Sequence, residues 1–512
     1  MSNFCSVSDD ILTNIMSRLP AKPFAAAACV NHLWNRISDR ILSRPRLTSG
    51  LSLAESPEIA VDEALEMALS KPIRPHFAIA FVGLHFPIEE IHNRVTNSII
   101  ASKIGANTIL ITTASLGTID ADSITNELEE MKWEDDEDAV ITDDDMYLGV
   151  TMIIGFVPGL KINVVPLLHT NTEPQVPMVD EFISDVRDFT VLVAGNTNPE
   201  PVGIMLFGDH CRNLKPILAE IDAKISRETV MIGDAHNYFV CTNAEVDNID
   251  TTLYTVDAVA LVFARDNLNN NEVEIKFHVG ISSGIIPIGP KIEILDVLVH
   301  EGKTTWLFAR TQGEVWPLDA YNLILSLHTL IIDKPYFLYI GVTKEAEPLD
   351  GGLSIKYTEF YEVIGTQQIM FSVAGTGINP GDICMFYHSD MDSAMGSSND
   401  VYNRFHHLVE PPPRQAYGQL VSSSRSNREK VFGGFMFASS NRGDKYFGNS
   451  VTDCMPFYEN FPGVPFTGTF CFEPIGRSPV LEEEEEWQSD ENRFNMQAFN
   501  TIHLVMSYKK TA

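Results

Sequence analysis

The chain holds no apolar run near the ~18 residues that a membrane-spanning helix requires, so no membrane span is expected. It is also poor in positive charge. Its 36 Lys and Arg stand against 69 Asp and Glu, a formal net charge of −33, and so acidic a surface repels phosphate backbones and anionic lipid. Neither a nucleic-acid partner nor a membrane surface is therefore expected. The seven cysteines, at positions 5, 29, 211, 241, 384, 454 and 471, form no Cys-x-x-Cys pair, which leaves neither a zinc-ribbon motif nor a disulfide framework to be read. The opening MSNFCSVSDD has no basic stretch followed by an apolar one, so it does not read as a secretory signal. A reducing compartment, cytosol or nucleus or both, is the expectation. Leucines do not recur at the spacing of a leucine-rich repeat, which argues against that solenoid.

What is present is ordinary for a folded protein: 44% hydrophobic and 21% charged residues. A length of 512 residues suggests about three folding units. The charge is unevenly placed. Residues 1 to 50 carry Arg18, Lys22, Arg36, Arg40, Arg44 and Arg46 against Asp9, Asp10 and Asp39, a local +3 in a chain that is otherwise strongly acidic. Residues 127 to 145 hold eleven acids and one lysine, and residues 482 to 491 hold seven acids and no base. Like-charge blocks repel and extend, so both read as solvated loops.

Within the basic N-terminal stretch, Ser8 followed by Asp9 and Asp10 has the form of a helix N-cap with acids in the first turn. Ile11, Leu12, Ile15, Met16 and Leu19 follow at helical spacing. Pro20 and Pro23 then interrupt, and a second pattern begins at Phe24 and continues through Val30, Leu33, Trp34 and Ile37. Two patterns this short carry more apolar side chains than a pair of small helices can hide. The surplus serves either a cap on the body of the chain or a docking face for another protein.

The residues of this stretch resemble the F-box: the paired acids with Ile11 and Leu12, then Ile15, then Arg18-Leu19-Pro20, then ACVNHLW at 28 to 34 with Val30 and Trp34. The resemblance implies a module that docks a Skp-type adaptor, and through it a cullin, using Ile11, Leu12, Ile15, Leu19, Pro20, Val30 and Trp34. The local +3 suits an acidic adaptor.

Beyond a turn-rich linker, residues 59 to 71 read as an amphipathic helix and residues 76 to 83 as a buried strand. Residues 217 to 225 read as a helix before a strand at 229 to 234. Further strand candidates are 107 to 117, 150 to 157, 189 to 195, 202 to 208 and 257 to 266. Strands outnumber helices, so the expected class is α+β with mostly mixed or antiparallel sheet: a small all-helical module followed by a large mixed-sheet body. Gly280, Gly284, Gly289 and Pro290 punctuate an apolar run at 279 to 295 and suggest a tight connection between strands rather than a phosphate cradle.

That run, SSGIIPIGPKIEIL, is similar to a stretch near the end of the N-terminal FIST domain, and residues 432 to 476 resemble the end of the C-terminal FIST domain. The order F-box, FIST N, FIST C implies units at 1–48, 56–298 with the acidic insertion 127–145, and 299–512. In the third unit the resemblance marks Arg442, Gly443 and Glu473 as a candidate ligand or substrate site. The planar fork of Arg442 suits a carboxylate, or equally the carbonyls of its own turn.

Asp209, His210, Asp234 and His236 each follow a strand candidate. They read either as turns at strand ends or, were the strands adjacent, as an acid/base or metal group. Cys211 beside His210 reads as a buried inert thiol or a reactive one. No nucleophile, metal or cofactor motif accompanies them. The expected function is a non-catalytic substrate receptor of a cullin-based ubiquitin ligase that needs no cofactor, and the alternative is an intracellular sensor of an amino-acid-like ligand.

Overall fold

The computed structural model describes residues 8–102, 108–121, 128–132, 149–172, 176–194, 200–226, 228–242, 249–267, 273–300, 304–330, 336–346, 355–409, 429–449, 451–477 and 498–510. The acidic run at 482 to 491 lies outside these residues, as does the run at 127 to 145 except for a strand at 128–132.

The chain opens with three helices: α1 (Asp9–Met16), α2 (Ala21–Ala28) and α3 (His32–Ile41). The sequence pattern suggested two. Pro23 sits in the first turn of α2, where its missing N–H is not needed, so it does not break that helix. The break falls instead at 29 to 31, where the Asn31 side chain accepts the Trp34 N–H at 2.9 Å and starts a new helix.

The body holds three sheets and a barrel among the described residues. In the first sheet the order is β1 (Arg46–Ser52), β6 (Val150–Phe156), β2 (Phe77–Gly83), β3 (Ile109–Ser115) and β10 (Phe239–Thr242), with only β2 and β3 parallel. Helices α4 (Pro57–Ala68) and α5 (Ile88–Ser102) cover one face through Ala60, Ala64, Ile91 and Val95. The second sheet runs β21 (Pro474–Arg477), β9 (Val230–Asn237), β8 (Gly203–Asp209), β11 (Tyr254–Arg265), β7 (Leu160–Thr170), with β8 and β9 parallel. It is covered by α6 (Val179–Ala194) and α7 (Lys215–Lys224).

The third sheet runs β12 (Val273–Ser283), β22 (Asn500–Lys510), β19 (Lys430–Ser439), β20 (Phe466–Cys471), β4 (Gly117–Ala121), β5 (Leu128–Lys132). Here β19 and β20 are parallel. Its outer face carries α9 (Met391–Val409) and α11 (Met455–Tyr458), with the short α10 (Asp444–Phe447) beyond β19. The inner faces of all three sheets meet in one apolar interior, where Phe77 contacts Phe263 and Phe207 contacts Phe437 at ring separations of 5.5 and 6.3 Å. Strands buried on both faces need no polar alternation, which is why β2 is buried at every position.

The barrel closes through β13 (Ile285–His300), β14 (Thr304–Thr311), β17 (Met370–Ala374), β16 (Ile355–Gln367), β15 (Leu338–Ala346) and β18 (Ile383–Ser389), and α8 (Ala320–Leu330) packs Ala320, Ile324 and Leu327 into its core. Residue 298, the expected end of the second unit, lies inside β13, and β12 pairs with β22 from the far end of the chain.

One expected strand is corrected. Of the strand expected at 189 to 195, the described residues 189 to 194 end helix α6, because Val179, Phe182, Ile183, Val186, Thr190 and Ala194 bury one helical face while Leu192 is 75% exposed. Of the glycines expected at a tight connection between strands, Gly280 lies within β12, whereas Gly284 is the single residue joining β12 to β13. A Cβ on Gly284 would stand 2.5 Å from that of Ala394, so the glycine admits α9 against the strand.

Candidate functional site

Two places concentrate unusual side chains: the surface of the helical module, and the ends of the parallel strands facing the barrel.

In the module, Ser8 accepts the Ile11 N–H at 3.4 Å, and Asp9 and Asp10 lie in the first turn of α1. Leu12, Met16, Phe24, Ala27 and Ile37 are buried together, with Leu19, Leu33 and Trp34 partly buried around them. A small core is thus complete without Ile11, Ile15 and Val30, which stay 55%, 53% and 61% exposed. Of the residues implicated by the sequence, Leu12 faces inward and Pro20 is exposed. The module is tied to the body where the Ala21 N–H bonds the Leu69 carbonyl at 2.9 Å and where Ala21 and Leu42 pack against the α4 layer. Arg36 and Arg40 approach Asp9 at 3.9 and 4.0 Å, exposed pairs that contribute little.

Arg442 and Glu473 leave the ends of neighbouring parallel strands, β19 and β20, yet they point to different partners. Arg442 has no exposed surface. Its guanidinium donates to Asp453 at 2.7 Å, to the Ser282 hydroxyl at 3.1 Å and to the Phe499 carbonyl at 3.1 Å, with the rings of Phe447 and Phe499 on its faces. Its carboxylate partner is internal. Gly443 takes φ +90°, and a Cβ there would stand 2.2 Å from Glu130 Oε1, which accepts the Asp444 N–H at 2.8 Å. These two residues secure a turn.

Glu473, one-third exposed, pairs with Lys215 at 2.9 Å. Lys215 also donates to the Phe360 carbonyl at 3.2 Å and lies over the Tyr361 ring, so the pair bridges α7, the turn after β20 and the barrel strand β16. Burial pushes the Glu473 carboxyl up, but Lys215 outweighs it and holds the group below the ordinary carboxylate range. Asp234 beside it is fully buried. Burial raises its pKa to about 7 despite N–H donors from His236 at 3.1 Å and Asn237 at 2.8 Å. Burial likewise raises the Glu359 carboxyl, which accepts the Tyr361 hydroxyl.

Strands β8 and β9 are adjacent and parallel, so Asp209 and His210 do come beside Asp234 and His236, with 6.3 Å between the two imidazole centroids. Cys211 is exposed, not buried. The sequence reading missed Lys215, although basic residues following a strand end, Arg212 and Lys215, were a usable signal. It also missed the buried His169, bonded to Asp257 at 2.6 Å and to Arg212, for which no local motif exists.

Residues 4–44 match the F-box domain family. Over its length the chain is similar to the F-box/LRR-repeat protein At5g63520 of Arabidopsis thaliana, with 30% identity across 521 residues that cover 99% of this chain and 94% of that protein. The chain belongs to the F-box protein family. F-box domains bind Skp-type adaptors that link to a cullin, and F-box proteins are in general non-catalytic receptors.

Proposed function

We propose that the chain is the substrate-recognition subunit of a cullin-based ubiquitin ligase in the cytosol or nucleus. The observation that carries this reading is the match at residues 4–44 to a module whose own core is closed while Ile11, Ile15 and Val30 remain exposed. Those three, with Leu19, Pro20 and Trp34, meet the adaptor, and Leu12 supports them from within. The body, read as a pair of FIST-like units, holds the protein to be ubiquitinated. The receptor supplies no acid, base or nucleophile. It raises the effective concentration of its target beside the charged conjugating enzyme.

A titration of the full chain against a Skp-type adaptor tests this. Ile11→Asp combined with Ile15→Asp is expected to weaken binding at least 100-fold while the melting temperature stays within a few degrees. Equal affinity of the double variant sinks the docking face.

A second reading, a sensor of an amino-acid-like ligand, is favoured by one feature: the Lys215–Glu473 ion pair and the fully buried Asp234 gather at the carboxyl ends of parallel strands, where α/β sheets commonly bind ligands. A rise in melting temperature with one member of an amino-acid panel would support it.

A further inference from the structure

We propose that the turn leaving β8 binds a zinc-class transition-metal ion through Asp209, His210 and Cys211, with His236 beside the remaining coordination position. One ligand atom from each of the three consecutive residues lies within 4.8 Å of the others. His210 Nδ1 is 3.6 Å from Asp209 Oδ1 and 3.7 Å from Cys211 Sγ, and His210 Nε2 is 3.2 Å from the same sulfur. In a tetrahedral zinc site with metal–nitrogen and metal–sulfur distances of about 2.0 and 2.3 Å, two ligand atoms stand about 3.3 Å apart for N and O and about 3.5 Å for N and S. With His210 Nδ1 as the ligand, both spacings lie within about 0.3 Å of those edges, so small side-chain rotations admit an ion.

The surroundings hold this arrangement. The His210 ring lies against Tyr238, tilted by 34° at a centroid separation of 3.6 Å, and its backbone N–H bonds the Asn237 carbonyl at 2.9 Å. Asp209 Oδ1 accepts the Cys211 N–H at 2.7 Å, which folds the third residue back over the first. His236, on the adjacent strand β9, brings a second imidazole edge-on to His210 at 6.3 Å and is itself braced by Phe472 at 5.8 Å. Cys211 is exposed and His210 and Asp209 are about one-third exposed, so an ion can enter from solvent.

The ligand types decide the class of ion. A thiol and one or two imidazoles favour Zn²⁺ or Co²⁺ over Mg²⁺ or Ca²⁺, which prefer shells of oxygen. Binding displaces the thiol proton to solvent and leaves the oxidation state of metal and sulfur unchanged.

The test is a Co²⁺ titration of the full chain after removal of metal by chelator under reducing conditions. One equivalent is expected to produce the near-ultraviolet band of a thiolate–cobalt bond, to be displaced by Zn²⁺ and to be unaffected by excess Mg²⁺. Cys211→Ser is expected to abolish the band, and His210→Ala to weaken uptake at least tenfold, with melting temperatures of the metal-free variants near that of the parent. A band that persists in Cys211→Ser puts the ion on another of the seven cysteines and overturns the proposal. Absence of the band in the parent at millimolar Co²⁺ overturns it as well.

Discussion

Arg442 and Asp453 form a buried ion pair, 2.7 Å between Nη2 and Oδ1, that ties together the ends of three strands. Asp453 also accepts the Thr501 hydroxyl at 3.0 Å, and Arg442 reaches Ser282 at the end of β12 and the Phe499 carbonyl just before β22. Phe499 takes φ 57°, and among the described residues it is the one non-glycine at positive φ. The arginine and the aromatic cluster of Phe337, Tyr446 and Phe499 hold that backbone in place.

Removing one member of such a pair leaves an uncompensated buried charge. Arg442→Met is therefore expected to destabilise the chain by about 3 to 5 kcal/mol. Adding Asp453→Leu to that variant should restore part of the loss, because the orphan carboxylate goes with it. Denaturant midpoints of the single and double variants check this, and equal stability of Arg442→Met and the parent would contradict the structural role.

Leu12 and Ile15 lie on the same short helix and should separate folding from docking. Leu12→Ala opens a cavity in a closed core and is expected to cost about 2 to 4 kcal/mol of module stability. Ile15→Ala, more than half exposed, should change stability by less than about 0.5 kcal/mol and still weaken adaptor binding. Thermal melts beside adaptor titrations distinguish the two.

Gly443→Ala is expected to cost about 2 kcal/mol or more, since a Cβ would collide with Glu130 and the backbone angle of +90° disfavours any L side chain. Because Glu130 is on β5, the β4–β5 hairpin should loosen with it. Faster hydrogen exchange at residues 117–121 in this variant is the specific readout.

His503 lies wholly buried in β22 against Phe405, and neither ring nitrogen has a hydrogen-bond partner. Burial pushes its pKa down to about 4, as it does for His76 and His92. The unfolded chain binds the proton near pH 6.5 and the folded one near pH 4, so below pH 6.5 the unfolded state holds more protons. Each group therefore contributes stability that is intact above pH 6.5 and lost as pH falls toward 4. His503→Leu should flatten the profile, its advantage over the parent growing by about 2 kcal/mol between pH 7 and pH 5. Parallel profiles of parent and variant would show that the group does not titrate in this way.

Local patterns were legible where one element carries its own signal. The helical character of residues 9 to 41, though read as two helices rather than three, the helices at 57–68 and 215–224 and the buried strands at 77–83 and 203–209 follow from apolar spacing and caps, because those terms act over a few residues. Residues 189 to 195 misled because a short apolar run has the same composition in a strand and in a buried helix face. Arg442 read from the sequence as a ligand-binding arginine or as one that bonds the carbonyls of its own turn; in the structure its guanidinium is taken up by Asp453, eleven residues away, and by the Phe499 carbonyl.

By itself the sequence determined the acidic body, the helical N-terminal module with its excess of apolar side chains, and the predominance of strands. Tertiary structure alone decided that Leu12 turns inward while Ile11 and Ile15 turn outward, and that Arg442 is enclosed. It also brought Asp209, His210, Cys211 and His236 to one strand end. The reason is physical: charge and periodicity are sums over neighbours in the chain, whereas burial and side-chain meetings depend on which strands pair. Here that pairing joins residue 282 to 501 and residue 118 to 469, across separations that no local pattern records.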